Sequence, residues 1–220
     1  MTSPALPLPR ELLVFDLDGT LVDTLPDLTA TINHTLAQFG LPPKSLDEAR
    51  RLIGYGTPIF LGRALGPGHE SDLDEALRVY RRYYDEHLVD RTRPYDGVAE
   101  TLEHFSDKTK VVYTNKPAGP SETILRELGL SRHFAACYGD GSGLPLKPDP
   151  GGLLAICDRF GVGPDRTAMI GDGDTDVLAA QRAGIAVFAA TYGFRGREVL
   201  EALKPTAFFD SFRELTELIV

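Results

Sequence analysis

The chain has 220 residues, 42% of them hydrophobic, and a formal net charge of −9, enough to fill one large core or a core plus an insertion. Its basic residues are scattered rather than gathered into a stripe, which argues against nucleic acid or an anionic membrane as partner and leaves a small phosphorylated metabolite open. Cys137 and Cys157 lie far apart with no CxxC or Cys/His spacing, so neither a disulfide framework nor a zinc site is expected. The start, MTSPALPLPRE, has no basic segment followed by a long apolar one, and no apolar run approaches the roughly 18 residues of a membrane span. The cytoplasm is the expected compartment, and either a monomer or a homodimer is compatible with this composition.

In chain order, the first expected strand is LLVF (12–15), which runs into VFDLDGTLVDT, residues 14–24. About 95 residues then pass before the next strand, KVVYT (110–114), although a crossover needs only a dozen or two. Within that gap Leu25, Leu28, Ile32, Leu36 and Phe39 step at helical spacing, as do Leu73, Leu77, Tyr80, Tyr84 and Leu88, and Ser45-x-x-Glu48 reads as a capping box. Residues 21–94 are therefore expected to form a small helical cap, with both exits at one rim of the sheet, near Asp23 and at Arg93–Gly97. Strands follow at TAMIG (167–171), IAVFAA (185–190) and AFF (207–209). Amphipathic helices are expected over 119–129, 150–160, 175–184, 195–203 and 211–219, the last capped by Asp210 or Ser211. This alternation predicts an α/β fold, a doubly wound parallel sheet formed by residues 1–20 and 95–220.

Four places put polar groups directly after a strand or beside a helix start: Asp16 and Asp18; Thr114, Asn115 and Lys116; Lys147 in LPLKPDP; and Asp172, Asp174 and Asp176 in IGDGDTDV. The carboxyl ends of parallel strands form one edge, so these groups should converge there. Two carboxylates about 4 Å apart repel by roughly 4 kcal/mol at an effective dielectric near 20, and a whole domain is stable by only about 5–15 kcal/mol. Clustered acids therefore need a cation. With oxygen ligands only, Mg²⁺ is the expected ion. A metal, an acid pair, a hydroxyl and a lysine suit phosphoryl transfer, in which an Asp can be the nucleophile and a second acid can shuttle the proton.

VFDLDGTLVDT, YTNKP, LKPDP and IGDGDTDV, in this order, resemble the four motifs of haloacid dehalogenase-like phosphatases. The resemblance implies that Asp16 is the nucleophile and Asp18 the general acid/base. It makes Thr114 and Asn115 hydrogen-bond donors to the phosphate, and Lys147 the balancing cation. Asp172, Asp16 and the Asp18 backbone carbonyl become the Mg²⁺ ligands, while Asp176 orients Lys147 or a metal-bound water. No role falls to Asp174. Relatives that cleave carbon–halogen bonds or phosphonates lack an acid at the Asp18 position, so phosphate esters are favoured. The run GDGSGLPLKPDP departs from the family, whose members often have a GGD-like turn before the lysine.

The segment RLIGYGTPIFLGRALG (51–66) resembles the substrate-specificity loop of bacterial phosphoglycolate phosphatases, as do YRRYYDEHLVDRTRPYDGV, YTNKP and ATYGFRG. Gly54 and Gly56 flank Tyr55, which would let backbone approach a ligand, and Arg63 and Lys116 are candidate cations for a substrate carboxylate. The resemblance implies hydrolysis of 2-phosphoglycolate to glycolate and phosphate, with the cap closing over the site. Alternatives are a phosphatase of another small metabolite or sugar phosphate, a β-phosphoglucomutase-like phosphomutase, and a catalytically silent phosphate-ligand binding module. The last is disfavoured by the presence of every motif acid. Asp172-x-Asp174-x-Asp176 imitates an EF-hand start, but Val177 stands where the loop needs Gly and Ala183 where it needs Glu. There is no GxxxxGK[ST], no GxGxxG after a strand and no GxSxG.

Overall fold

The computed structural model describes residues 6–220; the first five residues of the expected sheet half lie outside them. Six strands form one sheet: β1 (Leu12–Phe15), β4 (Thr109–Pro117), β5 (Ala136–Asp140), β6 (Thr167–Gly171), β7 (Ala186–Ala190) and β8 (Ala207–Phe209). A separate antiparallel pair is formed by β2 (Val22–Asp23) and β3 (Arg93–Pro94). The sheet is parallel throughout, in the order β5-β4-β1-β6-β7-β8. Strand order reverses between β1 and β6, where a doubly wound sheet opens a crevice at its carboxyl edge.

The strands are nearly continuous apolar runs because both faces are covered. Leu13, Phe15, Val112 and Ile170 belong to one buried layer, with Leu102 of α5 (Val98–His104), Ile124 of α6 (Ala118–Glu127) and Leu215 of α10 (Leu215–Leu218). Leu12, Val14, Val111 and Met169 belong to the opposite layer, with Ile156 of α7 (Gly151–Phe160), Val177 of α8 (Asp174–Ala183) and Leu200 of α9 (Arg197–Leu203). Besides the β2–β3 pair, one strand and one α-helix of the sheet half were not anticipated. β5, with the sequence ACYGD, is an edge strand paired only with β4, so it carries the apolar signal of a central strand only in part. Helix α5 occupies residues that the periodicity left unassigned. The helix expected over 211–219 is instead a short 3₁₀ turn, Phe212–Glu214, followed by the four residues of α10, and the Ser211 side chain makes no cap.

Between β2 and β3 lie α1 (Leu25–Gln38), α2 (Leu46–Leu52), α3 (Thr57–Leu65) and α4 (Leu73–Glu86). Their apolar stripes, including Leu28, Ile32 and Leu36 of α1, Leu61 of α3 and Tyr80 of α4, are buried. The Ser45–Glu48 capping box is formed at the start of α2. Where the chain returns from the helices, the buried carboxylate of Asp27 accepts the backbone N–H groups of Arg91 and Thr92 and the Thr92 hydroxyl. Val22 and Asp23 then pair with Pro94 and Arg93, so the outgoing and returning chains run side by side. Among the described residues no helix is long and apolar enough to cross a membrane.

Candidate active site

β1 ends by delivering Asp16 to the switch point. Lys147, on the loop before α7, reaches back to it: Nζ donates to Asp16 Oδ1 at 2.8 Å, to Asp176 Oδ1 at 2.6 Å and to the Tyr113 carbonyl at 2.9 Å. All three ammonium protons are thereby engaged. Burial alone would draw the Lys147 pKa down, but Asp16 and Asp176 outweigh it and hold it above the usual lysine value. Asp176, in the first turn of α8, takes the Gly173 N–H on its other oxygen at 2.9 Å.

Asp172 follows β6 directly and is held by the Thr20 hydroxyl at 2.8 Å and the Phe194 N–H at 2.6 Å. It sits between two glycines. A Cβ on Gly19, whose φ is +86°, would come within 2.8 Å of the Asp172 Cγ, and one on Gly193 within 2.5 Å. Gly19 thus turns the chain out of the sheet and leaves room for an acid 153 residues further on. Asp16, Asp172 and Asp176 each offer an oxygen within 4.8 Å of the others. Burial, followed by mutual repulsion with Asp16, pushes the pKa values of Asp172 and Asp176 above the carboxylate range, with Lys147 opposing the shift at Asp176. One buried ammonium cannot balance three carboxylates. The remaining negative charge and the all-oxygen donor set fit a hard divalent cation, Mg²⁺ in particular.

Asp18 lies outside that triad. Its Oδ1 accepts the Thr24 hydroxyl at 2.8 Å, and both its oxygens face Lys116 Nζ at 3.1 and 3.2 Å. The same ammonium donates to the Tyr84 hydroxyl of α4 at 2.6 Å. Burial raises the Tyr84 pKa well above the usual phenol value, so the group stays neutral. The regular pairing of β4 with β5 breaks between Tyr113 and Pro117, which frees Thr114, Asn115 and Lys116 to direct their side chains into the site.

Asp16, Asp18, Thr114, Asn115, Lys116, Lys147, Asp172 and Gly54 line one cavity of about 230 Å³, whose apolar wall includes Leu28, Phe60 and Tyr80. Three of the expected substrate contacts have other partners in this structure. The Asn115 side chain, although on the cavity wall, is already engaged: its amide nitrogen donates to the Lys147 and Gly54 carbonyls and its oxygen accepts the Lys147 N–H. Arg63 is exposed and lines a separate depression with Ile59 and Leu73, its guanidinium over the Tyr55 ring. Tyr55 is not part of the cavity wall; its hydroxyl is bonded to Asp174 at 2.5 Å. Asp174, Arg195 and Tyr84 belong to the site region and had no role in the sequence analysis. Nothing in the spacing of motif residues marks their contacts, since each has a partner in a distant segment of the chain.

The fold and this site define a class, and the chain belongs to it: residues 11–184 match the family model of haloacid dehalogenase-like hydrolases. Individual relatives are similar over nearly the full length. The phosphoglycolate phosphatase of Haemophilus influenzae (strain 86-028NP) is 35% identical, covering 95% of this chain and 98% of its own. Phosphoglycolate phosphatase 1 of Pseudomonas aeruginosa is 39% identical, covering 94% and 79%. A crystal structure described as a predicted phosphoglycolate phosphatase from Haemophilus somnus superposes with a TM-score of 0.90 at 33% identity, covering 94% of this chain and 96% of that one.

Proposed function

We propose that the protein is a Mg²⁺-dependent phosphatase that hydrolyses 2-phosphoglycolate to glycolate and phosphate through an aspartyl-phosphate. The observation that carries this reading is the buried Asp16–Lys147–Asp176 ion cluster with Asp172 alongside and Asp18 facing the same cavity. In it Asp16 attacks phosphorus, held in place by Lys147, while Asp18 protonates the departing oxygen and then takes a proton from the water that releases phosphate. Thr114 donates its hydroxyl to a phosphate oxygen. Mg²⁺, when held by Asp16, Asp172 and the Asp18 carbonyl, neutralises charge on the phosphoryl oxygens.

The substrate assignment is supported by the names of the relatives and by Lys116, a buried ammonium on the Asp18 side of the cavity, where a short leaving group would end. Lys116 is better placed than Arg63 to meet the carboxylate of such a group. The helical segment, residues 21–94, acts in this reading as a lid that sheds water over the site. Action in the cytoplasm on a small metabolite, with neither nucleic acid nor membrane as partner, belongs to the same proposal. Phosphate release from a panel of small phosphate esters, with and without Mg²⁺, tests it: phosphoglycolate should be preferred and turnover should require the metal. Equal rates across the panel would refute the substrate, and metal-independent turnover would refute the mechanism.

A further inference from the structure

Three polar residues to which the motifs assign no catalytic role meet between the helical segment and the sheet. Arg195, in the loop after β7, donates Nε to Asp174 Oδ1 at 3.1 Å, Nη2 to the Ile53 carbonyl at 2.7 Å and Nη1 to the Arg50 carbonyl at 3.2 Å. Asp174, the first residue of α8, accepts the Tyr55 hydroxyl on its other oxygen at 2.5 Å. The Tyr55 ring has the Arg63 guanidinium 4.7 Å and the Arg195 guanidinium 5.3 Å from its centre. The Arg195 and Asp174 side chains are only 12% and 20% exposed, so this pair is screened less than a surface salt bridge.

The local sequence explains why a remote arginine is needed. Helix α2 ends at Leu52, and the next residue, Ile53, is extended rather than left-handed. The last carbonyls of a helix have no partners of their own and favour a cation nearby. Here the donor comes from a residue 142 positions further on. Gly54 follows with φ +116°, and a Cβ there would lie 3.2 Å from Arg195 Nη2. Its carbonyl accepts Asn115 Nδ2 at 3.1 Å, and that same nitrogen donates to the Lys147 carbonyl at 2.8 Å. A continuous set of contacts therefore leads from Arg195 through residues 53–55 to Asn115 and Lys147.

We propose that Arg195, Asp174 and Tyr55 are positioning residues: they fasten the loop around Gly54 to the sheet edge, which closes the cavity and keeps Asn115 seated on the Lys147 peptide. The effect on turnover rests on the phosphatase reading above; the effect on the loop does not. The test uses the full chain with Arg195→Met, Asp174→Ala, Tyr55→Phe, the Tyr55→Phe/Asp174→Ala double variant and Arg195→Lys. Hydrogen exchange across residues 50–57, without substrate, should accelerate about tenfold in Arg195→Met and Asp174→Ala and stay unchanged in β1 and β6.

KM for the phosphate ester should rise about tenfold with kcat changed less than about twofold, because substrate binding must then supply the closure that the contacts supplied before. Arg195→Lys should recover part of the loss. Tyr55→Phe removes a single oxygen and keeps the protein folded, and the double variant should lose no more than Asp174→Ala, since both remove the same bond. Unchanged exchange across 50–57, or additive losses in the double variant, would overturn the proposal. If the wild-type chain hydrolyses none of the esters, the phosphatase reading fails, and the exchange data still decide whether these residues fasten the loop.

Discussion

Replacing Lys147 with Met removes the one ammonium between Asp16 and Asp176 while keeping much of its volume. Carboxylate oxygens within 4.8 Å of one another repel by at least about 3.5 kcal/mol per pair at an effective dielectric near 20. On the same scale each Lys147 contact, at 2.8 and 2.6 Å, is worth about 6 kcal/mol. The ammonium thus offsets most of the repulsion within the cluster, and without it the acids respond by binding protons. That response limits the loss to the range for breaking a buried ion pair, about 3–5 kcal/mol.

The sign of the pH dependence follows. Native carboxyl groups with raised pKa values hold protons that the unfolded chain releases above about pH 4, so stability falls as pH rises from there through the native values. Lys147→Met raises those values further and makes the deficit larger at about pH 8 than at about pH 5. Denaturant unfolding of both proteins at the two pH values measures this, and adding Mg²⁺ at the higher pH should restore part of the loss by replacing the missing positive charge. A deficit equal at both pH values and indifferent to Mg²⁺ would refute the electrostatic account of Lys147.

Asp16→Asn should keep the fold and lower Mg²⁺-dependent phosphate release by about a thousandfold or more, measured under single-turnover conditions. Mg²⁺ binding should release protons, because burial and mutual repulsion raise the pKa values of Asp172 and Asp176; titration calorimetry in buffers of different ionisation enthalpy reads this directly, and the apparent affinity should rise with pH. Gly19→Ala should destabilise the protein by about 1–3 kcal/mol through its positive φ and its collision with Asp172, and should weaken Mg²⁺ binding, whereas Gly40→Ala, also at positive φ but with open space around it, should affect stability alone.

The sheet was legible wherever a strand is a compact apolar run: LLVF, TAMIG and AFF coincide with β1, β6 and β8. It was illegible at β5, where ACYGD mixes small, polar and half-buried residues and offers no continuous apolar run. The acids were legible because their mutual repulsion demands a reason for keeping them together. Asn115 was legible only in part: its position at a strand end marks it as a site residue, but only the folded loop shows its amide bonded to the Lys147 peptide. The Lys116–Tyr84 contact joins residues 32 apart and the Tyr55–Asp174 contact residues 119 apart. Each pairs ordinary surface-type residues that acquire meaning only when the helices come down on the sheet.

The pairing of Val22–Asp23 with Arg93–Pro94 has a consequence for ancestry. Adjacent strands lie about 4.8 Å apart, so the whole helical segment enters and leaves through a doorway two peptides wide. A turn of a few residues would bridge it, and the sheet could lose, gain or exchange what hangs there without a change in strand order. The same parallel scaffold, with Asp16 and Lys147 untouched, can thus serve as a chassis on which selection tries different covers.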